Sequence, residues 1–260
     1  MNKRAKRILE LIEGEKSFGL QFYEKTKTKK IYSPVPSTKW PQSWKTVHYK
    51  TYPRLRAFMS KKALEKKSHL IELIHHRHTA RNFTGEKIPF DDFFSLIQNT
   101  AGITYPGNSF DGSTRAYASA GARYPLELYA LVLNVTDLLP GLYHYSVKEN
   151  LIELLYAQRF TSELDEIFGD EPWITKASVV FFITGIPERT AVKYGDRGHR
   201  FMYIETGLLA QNISLLATEM GFGTCLVGGF VEDEVIKLFD LQIQGEYPLL
   251  SIALGKINKV

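Results

Sequence analysis

Residues 199–221, HRFMYIETGLLAQNISLLATEMG, form the longest helical pattern in the chain, and the pattern stops at Gly221 as a C-cap would. Apolar side chains recur on two sides of it: Phe201, Ile204, Leu208 and Leu215 on one, Met202, Leu209, Ile213, Leu216 and Met220 on the other. A helix apolar on two sides must be buried on two sides, so this one is expected inside a layered core. The neighbouring sequence supplies the second layer. KASVVFFITG (176–185) is a continuous apolar run of strand length, expected to be covered on both faces. ELYALVLNV (127–135) is rich in β-formers, and GLYHYSVKENLIELLY (141–156) reads as a hairpin turning at VKEN. FGTCLVGGF (222–230) and PLLSIALG (248–255) add strands, with a helix VEDEVIKLFD between them. RFTSELDEIFG (159–169) reads as a helix with Thr161 or Ser162 as N-cap. In IPFDDFFSLIQNTAG (88–102), Phe90, Phe93, Phe94, Leu96 and Ile97 cover one helical face while Asp91 and Asp92 suit its N-terminal dipole. Gly102 to Gly112 reads as loop. The pattern is an α+β core without an internal repeat.

With 260 residues, the chain has room for one domain of roughly 200 to 250 residues and an appendage. The expected division is a basic N-terminal helix and extended arm over 1–70 and a single domain over 71–260. No run approaches the ~18 apolar residues of a membrane span, and the basic N-terminus MNKRAKRILELIEGE (1–15) continues into an amphipathic pattern with no apolar core and cleavage site, so neither a membrane nor a secretory signal is expected. A lone cysteine, Cys225, rules out an internal disulfide and fits a reducing, cytoplasmic compartment. The net charge of +5 is uneven. Residues 1–70 hold 18 Lys and Arg against 5 Glu, a net of +13, leaving 15 against 23, or −8, for the rest. The arm either meets an acidic partner or covers its own acidic body; the second reading is favoured because its basic residues are interleaved with aromatics. Nucleic acid is the lesser alternative. Tyr32, Trp40, Trp44, Tyr49 and Tyr52 suggest an arm that buries rings on a surface.

The stretch HHRHTARNF (75–83) carries Arg77 and Arg81 four residues apart with Thr79 between them. On one helical turn the two guanidiniums would face the same way and form a phosphate grip; a solvated basic turn is the commoner fate of such a pair. His75, His76 and His78 lack a matching Cys/His pair at zinc spacing, and no metal is expected. In RAYASAGARYPLELY (115–129), Ser119, Ala120, Gly121 and Ala122 let backbone approach a flat ligand closely, and Gly228 and Gly229 of CLVGGF offer a second such point. Neither stretch has the spacing of a dinucleotide fold or a phosphate loop, and no hydrolase motif is present.

RHTARNF, SAGARYPLELY, KYGDRGHRF (193–201), LLAQNISLLATEMGFGTCLVGGF (208–230) and IALGK (252–256) together resemble the flavin-dependent nitroreductase superfamily. More narrowly they are similar to its SagB-type branch, the dehydrogenases of thiazole/oxazole-modified peptide biosynthesis. The resemblance runs from about Glu72 to Lys256. It implies a nitroreductase-like fold with a central mixed or antiparallel sheet flanked by helices, in an intertwined homodimer holding FMN at the subunit interface. The second apolar side of the long helix would then meet the partner subunit. It further implies that Arg77, His78, Thr79 and Arg81, joined by Lys256, hold the FMN phosphate and ribityl chain, and that Ser119, Ala120, Gly121, Ala122 and Arg123 lie near the flavin. Ala122 stands where broader nitroreductases commonly place Asn. Val227, Gly228 and Gly229 would present backbone to the ring. Lys193 and Tyr194 fall where the branch has a pair serving azoline oxidation, whereas a surface KYG turn is the bland alternative. The expected activity is FMN-dependent dehydrogenation of a peptide-derived azoline, with a cyclodehydratase complex as a further expected partner. An NAD(P)H-dependent nitro or quinone reductase and a flavin-bound non-catalytic subunit are the alternatives.

Overall fold

The computed structural model describes residues 17–29, 37–45, 49–50, 56, 58, 68–107, 113–169, 171–241 and 245–258. The amphipathic pattern at the very N-terminus, the rings of Tyr32 and Tyr52 and the side chain of Trp44 lie outside these residues. The helices are α1 (Phe18–Thr26), α2 (Gln42–Lys45), α3 (His69–His76), α4 (Phe90–Ala101), α5 (Ser162–Phe168), α6 (Glu188–Tyr194), α7 (Arg197–Glu219) and α8 (Glu232–Leu238). The strands are β1 (Ile103–Tyr105), β2 (Thr114–Arg115), β3 (Leu126–Val132), β4 (Gly141–Ser146), β5 (Leu151–Tyr156), β6 (Val179–Gly185), β7 (Gly223–Val227) and β8 (Tyr247–Gly255).

Six strands form one sheet in the order β5-β4-β3-β6-β8-β7, with antiparallel neighbours throughout. The apolar run of β6 is central, pairing Phe182 with Tyr129 of β3 and Ser251 of β8, and all of its residues are buried. It is apolar because both faces are covered, even though its pairing is antiparallel. On one face Phe181, Ile183, Leu128 and Ile252 pack with Phe93 and Leu96 of α4 and Met202, Leu209 and Ile213 of α7. On the other, Val180, Phe182, Leu131 and Ala253 pack with Leu164, Ile167 and Phe168 of α5 and Val235 and Ile236 of α8. The result is two helical layers around one sheet.

The expected hairpin forms, with Val147–Asn150 as its turn and Asn150 at φ 50°. Thr161 occupies the N-cap of α5, yet its side chain makes no capping bond. Two expectations change. Residues 103–105 are a strand rather than loop, because β2, beyond the intervening segment, pairs with them. The long helix buries Met202, Leu209 and Ile213, whereas Ile204 is 54% and Leu208 40% exposed on its second apolar side. Among the described residues that side is only partly covered, with Phe201 and Leu215 half-buried.

The arm is tied to the acidic body where it is described. Ser17 donates to Asp196 at 2.6 Å, Lys27 pairs with Asp233 at 2.9 Å, and the Thr28 N–H donates to Glu232 at 2.7 Å. Its aromatics behave otherwise than expected: Trp40 is 39% and Tyr49 83% exposed, so neither ring is buried on this chain. Among the described residues no helix is long and apolar enough to cross a membrane.

Candidate active site

The helix that opens the RHTARNF segment ends at His76, and Arg77 caps it with an extended backbone (φ −59°, ψ 119°). Arg77 and Arg81 therefore do not share a helical turn. The reason is tertiary: the chain leaves the helix to run beside β7, where Thr79 bridges Thr224 and the Ala80 N–H donates to the Thr224 carbonyl at 2.9 Å. In extended chain, residues two apart point the same way, an alternation that would put Arg77, Thr79 and Arg81 on one side. Farther along, Phe83 bridges Ile257 and the Thr84 N–H donates to the Lys256 carbonyl at 2.9 Å. This pairing brings Lys256 to the same sheet edge as the arginines. Its ammonium lies 3.3 Å from Glu86 in an exposed pair of little energetic weight. The Arg81 guanidinium sits 5.6 Å over the Trp173 ring, and His78 Nδ1 lies 2.9 Å from the His76 carbonyl. Burial pushes the Cys225 thiol up, opposed by Arg81.

At the opposite end of β7, the Val227 carbonyl accepts a bond from Ser251 at 3.1 Å, and Gly228 and Gly229 follow with exposed backbone. A Cβ built on either glycine would meet no atom within 4 Å. A planar ligand therefore has open access to main chain there.

A second cluster forms around residues 119–124. Gly121 (φ 63°), Ala122 (φ 54°) and Tyr124 (φ 45°) all adopt left-handed backbone, at a cost of about 1 to 3 kcal/mol for each non-glycine residue. Ser119 holds the turn, accepting the Tyr124 N–H on its hydroxyl at 2.8 Å and the Ala122 N–H on its carbonyl at 3.1 Å. Arg123 donates from Nε to the Arg189 carbonyl at 2.8 Å, which binds the turn to α6. The same helix carries Lys193 and Tyr194, and both reach Gly121: a Cβ built there would lie 2.5 Å from the Lys193 ammonium and 2.6 Å from the Tyr194 hydroxyl. Lys193 Nζ is 5.4 Å above the Tyr194 ring, which packs edge-on against Phe201 at 5.0 Å. An ammonium and a phenol thus meet at one backbone turn. The described contacts leave this cluster and the Arg77–Arg81 edge as two separate groups within one chain.

Sequence reasoning missed Glu205. This carboxylate is 2% exposed, Oε1 accepts the Ala120 N–H at 2.9 Å, and Oε2 has no hydrogen-bond partner. Burial raises its pKa against the pull of Ala120, Ser119 and Arg115. The signal was present, since Glu205 interrupts the buried stripe of Met202 and Leu209. Also missed was the layer behind α6, where Arg189 contacts Glu127 at 2.5 Å and His144 bridges Glu127 (3.1 Å) and Glu153 (2.9 Å). Burial alone would lower the His144 pKa, but its two carboxylates hold it above the ordinary value. For Glu127 burial acts upward, and His144 and Arg189 bring it below the usual range. A raised histidine pKa stabilises below the unfolded value of about 6.5 and loses that contribution as pH rises through the folded value. The stability difference between the protein and a His144→Gln variant should accordingly be largest near pH ~5.5 and shrink toward alkaline pH. Thermal unfolding across pH checks this, and a difference that grows above pH ~8 would contradict it.

Comparison with known proteins bears on these groups. The Nitroreductase family model matches residues 74–256. The nitroreductase MJ1384 of Methanocaldococcus jannaschii is 31% identical over 180 residues, 69% of this chain and 87% of that protein. The microcin B17-processing protein McbC of Escherichia coli is 26% identical over 197 residues, 69% of this chain and 71% of McbC. A chain in the structure of the E. coli microcin synthetase McbBCD complex with truncated pro-MccB17 bound superposes with a TM-score of 0.71. That likeness is one of fold, at 21% identity over 97% of this chain and 98% of the other. Two helical layers on an antiparallel sheet, and a family match spanning both clusters, lead to one conclusion: the chain belongs to the nitroreductase family of oxidoreductases.

Proposed function

We propose that this oxidoreductase binds FMN and dehydrogenates a peptide-derived azoline, converting a thiazoline or oxazoline to the thiazole or oxazole. The observation that carries the reading is the meeting of the Lys193 ammonium and the Tyr194 hydroxyl over Gly121. Similarity to McbC, named as a microcin B17-processing protein, favours the azoline over a nitroaromatic.

The donor set fits the cofactor. Two guanidiniums, a hydroxyl and an ammonium near one sheet edge are phosphate-binding chemistry, and open backbone at Gly228 and Gly229 suits a planar ring. In this reading Arg77, His78, Thr79, Arg81 and Lys256 hold the phosphate and ribityl chain. Val227, Gly228 and Gly229 face the ring, and Ser119 to Arg123 lie near the ring or the phosphate. Bound FMN supplies a two-electron acceptor for the hydride. Lys193 or Tyr194 takes the ring proton of the substrate. Arg123 and Arg189 hold α6 against the turn so that the pair stays aimed.

The exposed Ile204 and Leu208 of α7 are the surface on which a second copy docks, bringing one chain's 119–123 turn to the other's phosphate edge. We place the protein in the cytoplasm, with residues 1–70 as an arm on a domain of residues 71–260. A cyclodehydratase partner belongs to the same reading, supported by the fold shared with a chain of the synthetase complex.

Two measurements test the reading. The purified protein should show bands near ~370 and ~450 nm from released FMN, and an azoline should be oxidised with oxygen as acceptor. Arg77→Gln or Arg81→Gln should weaken FMN binding by about 10- to 100-fold, the worth of a charge-assisted bond. A colourless protein that takes up no FMN sinks the proposal; flavin-linked NAD(P)H oxidation by nitroaromatics without azoline turnover moves it to the reductase alternative.

A further inference from the structure

Behind the 119–124 turn lies a cleft of about 460 Å³, and the reading above leaves two of its lining cations, Arg115 and Lys148, without a role. Among the described residues that line it are four permanent cations, Arg115, Arg123, Arg189 and Lys148, and one carboxylate, Glu127. That carboxylate is already engaged by Arg189 at 2.5 Å and His144 at 3.1 Å. The cleft therefore carries uncompensated positive charge, beyond what its own acid neutralises.

Two of the guanidiniums are held in place before any ligand arrives. Arg115 donates to the Tyr117 hydroxyl at 3.2 Å and the Leu126 carbonyl at 3.5 Å, and lies 4.9 Å over the Tyr124 ring. Arg189 is fixed by Glu127 and donates to the Tyr124 carbonyl at 3.4 Å. Arg123 is tethered only through Nε. Lys148 stands at the rim, its side chain 71% exposed and 3.4 Å from Glu149. Guanidinium forks match carboxylate and phosphate oxygens, and a fork that is already ordered gives up little entropy on binding. The cleft also shares Gly121 and Ala122 with the Lys193–Tyr194 cluster, so a molecule reacting there can extend a charged end into it.

We propose that this cleft is an oxyanion subsite, taking a carboxylate or phosphate carried by the molecule that reacts beside Lys193 and Tyr194. The inference deepens the proposed function by adding a charge requirement to its substrate. Two sources share this chemistry: the carboxylate of a substrate azoline acid, and the phosphates of a nicotinamide dinucleotide.

Binding separates them without turnover. The flavin-loaded full chain is titrated calorimetrically with 2-methylthiazoline-4-carboxylate, its carboxamide, and NADP+. For a carboxylate source, the acid binds about tenfold or more tightly than the carboxamide, and Arg115→Gln removes the difference. For a dinucleotide source, acid and carboxamide bind alike while NADP+ binds and is weakened about tenfold by the same variant. Lys148→Glu, a rim substitution outside the core, should weaken whichever anion binds and covers the case in which Arg115→Gln does not fold. The inference is overturned if neither anion binds, or if binding is the same in the protein and Lys148→Glu. Because binding is read alone, an acid that binds but is never oxidised defeats the proposed function and leaves the subsite standing.

Discussion

On the proposed function, azoline oxidation should fall by about 10²- to 10⁴-fold in Lys193→Met and in Tyr194→Phe, while the FMN content of each variant should stay that of the parent. The size is that of a lost general acid or base, and the separation from flavin content follows from geometry. Lys193 and Tyr194 end α6 and contact the Gly121 turn, away from the Arg77–Arg81 edge. Gly121→Ala provides a second route to the same outcome without altering either side chain. Its Cβ would come within 2.5 Å of the ammonium and 2.6 Å of the hydroxyl, at a φ of 63° that an alanine adopts at a cost. Both groups must then move, and turnover falls with them. Single-turnover reduction of bound flavin by the azoline, followed at ~450 nm, reads the effect directly. Parental rates in both Lys193→Met and Tyr194→Phe would leave the KYG segment as a surface turn.

Phe181→Ala lowers stability by about 3 to 5 kcal/mol, the cost of removing a large aromatic from a core that cannot collapse around the void. Phe181 is fully buried in the central strand and stacks on Phe93 of α4 with ring centroids 6.0 Å apart and planes 9° from parallel. It lies between β3 and β8, with the α4–α7 layer on its face, so no mobile element can move in to fill the space. At roughly 2 to 4 °C per kcal/mol for a domain of this size, melting should fall by roughly 6 to 20 °C. Leu155→Ala, on the edge strand β5 and 42% exposed, is the control and should stay within about 0.5 kcal/mol. A Phe181→Ala loss as small as the control's would mean that the two layers do not close on the sheet as described.

Element types were legible in the sequence wherever burial has a local period. The apolar run of β6, the hairpin at Val147–Asn150 and the long α7 ending before Gly221 each carry a pattern that only one kind of element can bury. The residues of both clusters were named in the sequence through the resemblance to a known family, since a basic pair with a hydroxyl and a turn of small residues each have a commoner structural fate. Tertiary structure alone decided how they meet. Residues 77–81 look helical by spacing, but a hydrogen-bonding edge at Thr224 draws them into extended chain. Residues 103–105, Ile-Thr-Tyr, are β-formers in a run too short to read as a strand, and they become one because Thr114 and Arg115 return beside them. Glu205 became a site residue only when α7 placed it under Ala120, and Lys193 and Tyr194 acquired a partner only when α6 packed on the Gly121 turn. Periodicity reports how each segment is buried. Which segments face one another is set by long-range pairing, whose energy appears only after the chain has closed on itself.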